Sequence, residues 1–167
     1  LDARGAQALG TGPITLKGGI LAINNNIAHA EVEDGIDFNT FGPGNGYDIT
    51  VANVGATNGI ALPGNMTSTI YLNSSNTATL TGNSAINSLT IDAPQLNIAG
   101  LANNSGNLSL LFVKGATNFS QPNTVLDTNG GRLFLGGQIN ANGKTITKIG
   151  LQDVVLSNTE LDAGQNQ

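Results

Sequence analysis

The sequence predicts an all-β protein of short, regularly spaced strands, and three observations support this fold class. Glycine accounts for 23 of the 167 residues and asparagine is about as abundant, whereas only 10% of the residues are charged. Glycine and asparagine disfavour helix interiors, and few Glu, Lys or Arg residues remain to cover the outside of a helix. The third observation is a repeated alternation of apolar and small polar residues, typical of half-buried strands. We expect a single domain over residues 1–167, since this length suffices for one substantial core.

Short apolar triplets separated by Asn, Gly, Ser and Asp define the predicted strands in order along the chain. In the first half they lie at 14–16, 21–23, 48–51, 60–62, 70–72 and 78–80. In the second half they lie at 89–91, 96–98, 108–110, 133–135, 146–147 and 154–156. In each triplet the apolar residues are expected to face a core and the intervening residue to face outward. No window of the sequence carries a convincing helical period.

Regular short strands are compatible with two architectures, an antiparallel sandwich or barrel and a solenoid. The pairs Asn58-Gly59, Asn129-Gly130 and Asn142-Gly143 could form the hairpin turns of a sandwich. Aromatic residues make up only 4% of the chain, and this favours a solenoid, whose narrow core is filled by stacked Ile, Leu and Val. With two or three strands in a coil of roughly 20 residues, the chain would form about eight coils.

The segment 38–47 interrupts the strand rhythm. It is rich in glycine and carries three aromatic residues, Phe38, Phe41 and Tyr47. We expect a side loop that leaves the solenoid here. Because exposed aromatic side chains anchor interfaces, these three residues form the best candidate contact surface in the sequence.

The densest polar cluster is the stretch HAEVEDGID that begins at His29. On a strand, His29, Glu31 and Glu33 would point to one side and could form a metal site. Alternatively, Glu33, Asp34 and Asp37 could bind calcium through oxygen ligands, although their spacing does not match an EF-hand loop. The structural alternative is a solvated strand edge whose charges oppose unwanted pairing.

Composition argues against several classes of function. The chain has no cysteine, which excludes disulfides, zinc-thiolate sites and thiol catalysis. Six Lys and Arg residues against eleven Asp and Glu residues provide no basic patch for nucleic acid. No run approaches the roughly 18 apolar residues of a membrane-spanning helix. We therefore expect neither a nucleic-acid partner nor a membrane span in this chain.

A carbohydrate-active β-helix enzyme would need several carboxylates that converge on one groove, usually with basic or aromatic residues. Outside the stretch at 29–37 the acidic residues are scattered singly, and the chain contains one His and no Trp. No G-x-S-x-G, P-loop or paired-His motif occurs. The sequence predicts a non-catalytic protein, with a β-helix polysaccharide lyase or hydrolase as the alternative. An ice-binding solenoid would need a regular threonine array, for which the Thr-x-Thr pairs at 77–79 and 145–147 are too few.

Two stretches resemble the autotransporter-associated β-strand repeat of bacterial passenger proteins. Residues 8–21, ALGTGPITLKGGIL, are similar to the repeat phrase ALGTGxxTLxGGxL. Residues 130–139, GGRLFLGGQI, resemble GGxLxLxGxI, and residues 143–157 continue in the manner of GxLTKxGxGxLxLSG. The chain departs from the pattern at Leu151-Gln152-Asp153, where the family has a small-residue corner, and at Asn158, where Gly is common. The middle of the chain is similar only in its strand rhythm.

The resemblance implies a right-handed parallel β-helix that is secreted or exposed on a bacterial surface, with a structural or adhesive role. In the family's repeat the C-terminal phrase precedes the ALGTG phrase, and here this order is reversed. One end of the chain is therefore expected to adjoin the other end of a further copy. The sequence predicts a passenger segment or a head-to-tail fibre subunit, whose partners are copies of itself or a host or neighbouring cell surface. Uncapped solenoid ends expose unpaired strand edges, which are templates for such contacts.

Overall fold

The computed structural model describes residues 2–4, 12–24, 48–52, 68–72, 83–100 and 109–156. Within these ranges the regular secondary structure consists of strands, with no helix, as the sequence predicted. The strands are β1 (Asp2–Arg4), β2 (Ile14–Leu16), β3 (Gly19–Asn24), β4 (Asp48–Val51), β5 (Ser68–Leu72), β6 (Asn83–Ile86), β7 (Ser88–Ile91), β8 (Gln95–Gly100), β9 (Leu110–Val113), β10 (Thr117–Phe119), β11 (Asn123–Asp127), β12 (Arg132–Leu135), β13 (Ile139–Asn140), β14 (Thr145–Ile149) and β15 (Val154–Leu156).

These strands form three parallel sheets. The six-stranded sheet has the order β1-β3-β5-β8-β11-β14, the five-stranded sheet β13-β10-β7-β4-β2, and the four-stranded sheet β15-β12-β9-β6. From β4 onward the chain visits the five-, six- and four-stranded sheets in turn, so each circuit adds one strand to every sheet. We call the strands added in one circuit a rung. The pairings between described strands are all parallel. Hence Asn129-Gly130 and Asn142-Gly143 do not form the hairpins that an antiparallel sandwich would require.

The distance along the chain between register partners varies strongly from rung to rung. Asp2 lies opposite Ala22, 20 residues later, whereas Gly19 lies opposite Ser68, 49 residues later. Near the other end, Asn118 and Asn140 are register partners 22 residues apart. The uniform repeat of roughly 20 residues, on which the prediction of about eight coils rests, is therefore not observed among the described residues. The largest sheet of the described chain has six rungs.

The core lies between the three sheets and is filled by the inward residues of each strand. Adjacent rungs stack like residues into columns, as Leu21, Ile70 and Ile98 do in the six-stranded sheet. Each fully buried Leu or Ile contributes about 1.5–3 kcal/mol through removal of apolar surface from water. The large side chains buried to less than 2% exposure are Leu21, Ile23, Ile49, Ile70, Leu72, Ile86, Leu89, Ile91, Leu96, Ile98 and Leu111.

The corner between the four- and five-stranded sheets brings the backbones of successive rungs into contact. The Gly115 amide donates to the Asn87 carbonyl oxygen at 2.6 Å, and the Thr117 amide donates to the Gln138 carbonyl oxygen at 2.8 Å. A Cβ atom placed on Gly137 would lie within 3.0 Å of three backbone atoms of Gly115, closer than real Cβ atoms approach. Glycine is required at this corner because the rungs leave no space for a side chain.

Most predicted strands coincide with observed ones. The triplets at 60–62 and 78–80, the first residue of the triplet at 108–110 and the side loop at 38–47 lie outside the described residues. Among the described strands, the sequence did not predict β1, β6, β10, β11 or β13. In β10 and β11 the inward positions include buried threonines, Thr117 and Thr124, so the apolar triplet pattern is absent there.

Candidate functional site

The sequence-predicted site residues lie outside the part of the chain that the structure describes. This applies to the calcium candidates Glu33, Asp34 and Asp37, and equally to the aromatic residues of the 38–47 segment. Both remain predictions. Across the described ranges, no group of three or more His, Cys, Asp or Glu side chains is placed to bind a metal ion. The described part also contains no helix long and apolar enough to cross a membrane.

A polar ladder runs along the outer face of the five-stranded sheet. Strand pairing places Thr15, Thr50 and Thr90 in one column on successive rungs, and the column continues through Asn118 and Asn140. The Asn118 side-chain amide donates to the Thr90 hydroxyl at 3.4 Å, and the Asn140 side-chain amide donates to Asn118 Oδ1 at 2.6 Å. The column thus ties neighbouring rungs together by side chains as well as by backbone.

A second polar ladder lies on the outer face of the six-stranded sheet. The Gln95 side-chain amide donates to Asn97 Oδ1 at 2.8 Å, and Asn97 Nδ2 donates to the Thr69 hydroxyl at 3.3 Å. On the next rung Asp127 lies opposite Asn97. Its Oδ1 is buried and has no hydrogen-bond partner among the described residues. The second ladder therefore differs from the first in containing a buried carboxylate oxygen that has no hydrogen-bond partner among the described residues.

An aromatic side chain lies on the same outer face, next to the second ladder. Tyr71 is half-buried and has Ala22 and Ala99 as its register partners on the two adjacent rungs. The small alanine side chains leave the ring without bulky neighbours above and below in its column. An aromatic ring beside amide and hydroxyl groups resembles the chemistry of glycan contacts, but one isolated ring on a sheet surface does not form a groove.

The four-stranded sheet is apolar on both faces. Leu111 and Leu133 face the main core, whereas Phe112 and Phe134 belong to a second hydrophobic cluster on the other face. That cluster is buried along most of its length and becomes only partly buried at Val155, on the last rung. This sheet therefore has an interior environment on both sides, in contrast to the polar outer faces of the other two sheets.

Most aspartates of the described strands and corners are held by side chains on other rungs. Charge-assisted hydrogen bonds of this kind are shorter and stronger than neutral ones and fix the corners on which they lie. Asp48 accepts a hydrogen bond from Asn87 at 2.7 Å and Asp92 accepts one from Gln121 at 3.0 Å, whereas Asp153 forms an ion pair with Arg132, whose Nε lies 3.3 Å from Oδ2. These carboxylates lie at separate corners or strand ends, and their partners give each one a structural role.

The last described rung, formed by β13, β14 and β15, leaves core positions open. Leu156 is 64% exposed, although Leu135 and Val113 in the same column are 1% and 0% exposed. Ile149 and Leu151 on this rung are also exposed. Each of its three strands is the outermost member of its sheet in the described chain, so its second edge carries no strand. This rung combines unpaired backbone edges with exposed apolar side chains.

Sequence reasoning missed the ladders, although a signal for the first one is present. The outward residue of the triplets at 14–16, 49–51 and 89–91 is threonine in each case. The three threonines are 35 and 40 residues apart along the chain. Because these separations are unequal, a search for a constant repeat length does not find them. Only strand pairing shows that the three threonines are neighbours.

Comparisons of the chain with protein-family models, with curated proteins and with solved structures found no match. The surfaces described above are therefore the basis for a functional proposal.

Proposed function

We propose that this chain is a non-catalytic structural β-solenoid, a right-handed parallel β-helix in which the three sheets are the faces of one coil. The regular visit to the five-, six- and four-stranded sheets from β4 onward supports this arrangement. Parallel strands joined through such crossovers are right-handed in nearly all known cases. A solenoid satisfies its backbone hydrogen bonds between neighbouring coils, so it forms a rigid spacer without needing any cofactor.

The open last rung is the observation that carries the functional proposal. A solenoid whose final core column exposes Leu156 gains stability when a further parallel rung covers it. We propose that such a rung is provided by a second copy, stacked head to tail, or by the continuing chain of a longer surface protein. Because stacking of this kind does not close on itself, repeated addition gives a filament.

The proposed setting is a bacterial surface or the extracellular space, as a passenger segment with a scaffolding or adhesive role. The chain has no cysteine, and its described β12, β14 and β15 fall within the stretches at 130–139 and 143–157 that resemble the autotransporter repeat. Adhesion to a host or neighbouring cell would use the outer sheet faces, while the edges serve for stacking.

The alternative function is a carbohydrate-active enzyme. The engagement of Asp48, Asp92 and Asp153 in hydrogen bonds or ion pairs with other rungs favours the structural role. A panel of bacterial and plant polysaccharides incubated with the protein tests this, with reducing ends and unsaturated uronates as readouts. We expect neither product, and turnover on any of the polysaccharides would favour the enzyme.

The experiment for the stacking proposal measures particle mass and shape over a concentration series, by analytical ultracentrifugation and negative-stain electron microscopy. We expect the 16.9 kDa chain to form rods that lengthen with concentration. Leu156→Asp should abolish this growth, whereas Ile20→Asp, an equally polar change at an exposed position on the outer face of β3, should retain it. Monodisperse particles at every concentration would refute head-to-tail stacking of this chain.

A further inference from the structure

Two Asn-Gly pairs of the described chain lie in very different surroundings. Asn142-Gly143 forms the centre of an exposed turn between β13 and β14, closed by a hydrogen bond from the Lys144 amide to the Ala141 carbonyl oxygen at 3.0 Å. Asn129-Gly130 lies at the corner between β11 and β12, where its backbone contacts the preceding rung. The same dipeptide therefore occurs once in an open turn and once in a packed corner.

An Asn-Gly pair is especially prone to spontaneous loss of the asparagine amide, because glycine has no Cβ to hinder its own backbone nitrogen. That nitrogen attacks the side-chain carbonyl carbon of the asparagine and closes a five-membered succinimide ring. The side-chain nitrogen leaves as ammonia and takes the proton of the glycine N–H. Water then opens the ring, giving aspartate by addition at the side-chain carbonyl and isoaspartate by addition at the backbone carbonyl. The reaction therefore requires a free glycine amide and space for the ring.

Gly143 meets both requirements. The bond that closes a β-turn is donated by the fourth residue, so it leaves the amide of the third residue unused. Among the described residues, neither the Gly143 amide nor the Asn142 side chain has a hydrogen-bond partner. Gly143 has a φ of +68°, and a Cβ placed on it would meet no atom within 4 Å. Both residues are exposed, so water can reach the ring.

The Gly130 amide is held in place. It donates to the Ile98 carbonyl oxygen on the preceding rung at 3.4 Å. A Cβ on Gly130 would lie 2.8 Å from the Gly100 nitrogen and 3.2 Å from the Ala99 Cα, so the backbone has little room to move at this corner. Attack on the Asn129 side chain therefore requires the corner to open first, and the small population of the opened state lowers the rate.

We propose that Asn142 is a site of spontaneous modification to aspartate and isoaspartate, and that the packing of successive rungs protects Asn129. The reaction consumes water and releases ammonia, with no oxidation or reduction. Each conversion makes the formal net charge of −5 one unit more negative. Isoaspartate also adds a methylene group to the main chain of the turn that leads into β14. This inference does not depend on the stacking of copies, since it rests on one turn and one corner of a single chain.

The test incubates the purified chain in mildly alkaline buffer and follows each pair by peptide mapping with mass spectrometry, which detects the mass shift from amide to acid. Labelling by an isoaspartate-specific methyltransferase identifies the isoaspartate product. Asn142 should convert at least about tenfold faster than Asn129, a ratio that corresponds to about 1.4 kcal/mol of protection. The third pair, Asn58-Gly59, lies outside the described residues, and its peptide is quantified separately.

Two controls separate the effect of the structure from that of the dipeptide. In urea, where circular dichroism verifies unfolding, the two rates should agree within about twofold because the corner is open. Asn142→Gln, whose side chain would have to close a larger ring, should remove the acidic product at the turn and leave the Asn129 rate unchanged. Equal rates in the folded chain, or an Asn142 that converts only in urea, would overturn the proposal. A tenfold ratio that persists in urea would also overturn it, since flanking residues rather than packing would then set the rates.

Discussion

The contact between successive rungs at Gly137 offers a direct test of the stacked architecture. We predict that Gly137→Ala destabilises the protein, because the new methyl group would lie within 3.0 Å of three backbone atoms of Gly115. Backbone atoms cannot rotate away as a flexible side chain can. The two rungs would have to separate at this corner.

The magnitude follows from what that separation disturbs. Two backbone hydrogen bonds flank the contact, one from the Gly115 amide to Asn87 and one from the Thr117 amide to Gln138. A weakened bond costs about 0.5–1.5 kcal/mol, and strain from overpacking a close contact costs about 1–3 kcal/mol. We expect the free energy of unfolding to fall by about 2–4 kcal/mol.

Urea denaturation of wild type, Gly137→Ala and a matched control measures this loss. The control is Gly12→Ala, since a Cβ at Gly12 has no atom within 4 Å, and it should change the stability by less than about 0.5 kcal/mol. Amide hydrogen exchange adds a local readout, because loss of protection should concentrate at Gly115 and Thr117. If Gly137→Ala is no more destabilising than Gly12→Ala, the rungs are not in backbone contact at this corner.

Two further predictions concern the core column and the outer ladder. Leu126→Ala should lower the free energy of unfolding by about 2–5 kcal/mol. Lys148→Ala, at the exposed end of the same column, should lower it by less than about 0.5 kcal/mol. Equal losses in urea denaturation would contradict the burial of Leu126 in the core. Asn118→Ala removes the acceptor for Asn140 and should lower the free energy of unfolding by about 0.5–1.5 kcal/mol. The control is Thr15→Ala at the exposed end of the ladder, and equal losses for the two variants would show that the ladder adds no stability.

The fold class and the inward residues of many strands could be predicted from the sequence. The triplets at 14–16, 89–91 and 133–135 coincide with strands whose apolar residues face the core. Alternation is a local property, since successive side chains of a strand point to opposite faces whatever its neighbours are. The prediction failed at β10 and β11, because Thr117 and Thr124 occupy buried positions and mimic outward polar residues.

The candidate surfaces could be predicted much less well. The outer ladder of Thr15, Thr50 and Thr90 depends on which strands are neighbours, as does the core position of Lys148. In the sequence Lys148 is a polar residue within the period-two pattern of β14. Nothing local shows that the two preceding positions of its column are the buried leucines Leu126 and Leu96.

The sequence by itself determined that this protein is built from short strands with alternating faces, because glycine, asparagine and period-two patterning act over a few residues. Tertiary structure decided the number of rungs, the composition of each column and the position of the open end. The physical reason is that parallel strands pair through connections of any sufficient length, here with register partners 20 to 49 residues apart. Closing a longer connection costs little additional entropy, so its length leaves no fixed period in the sequence from which the pairing could be inferred.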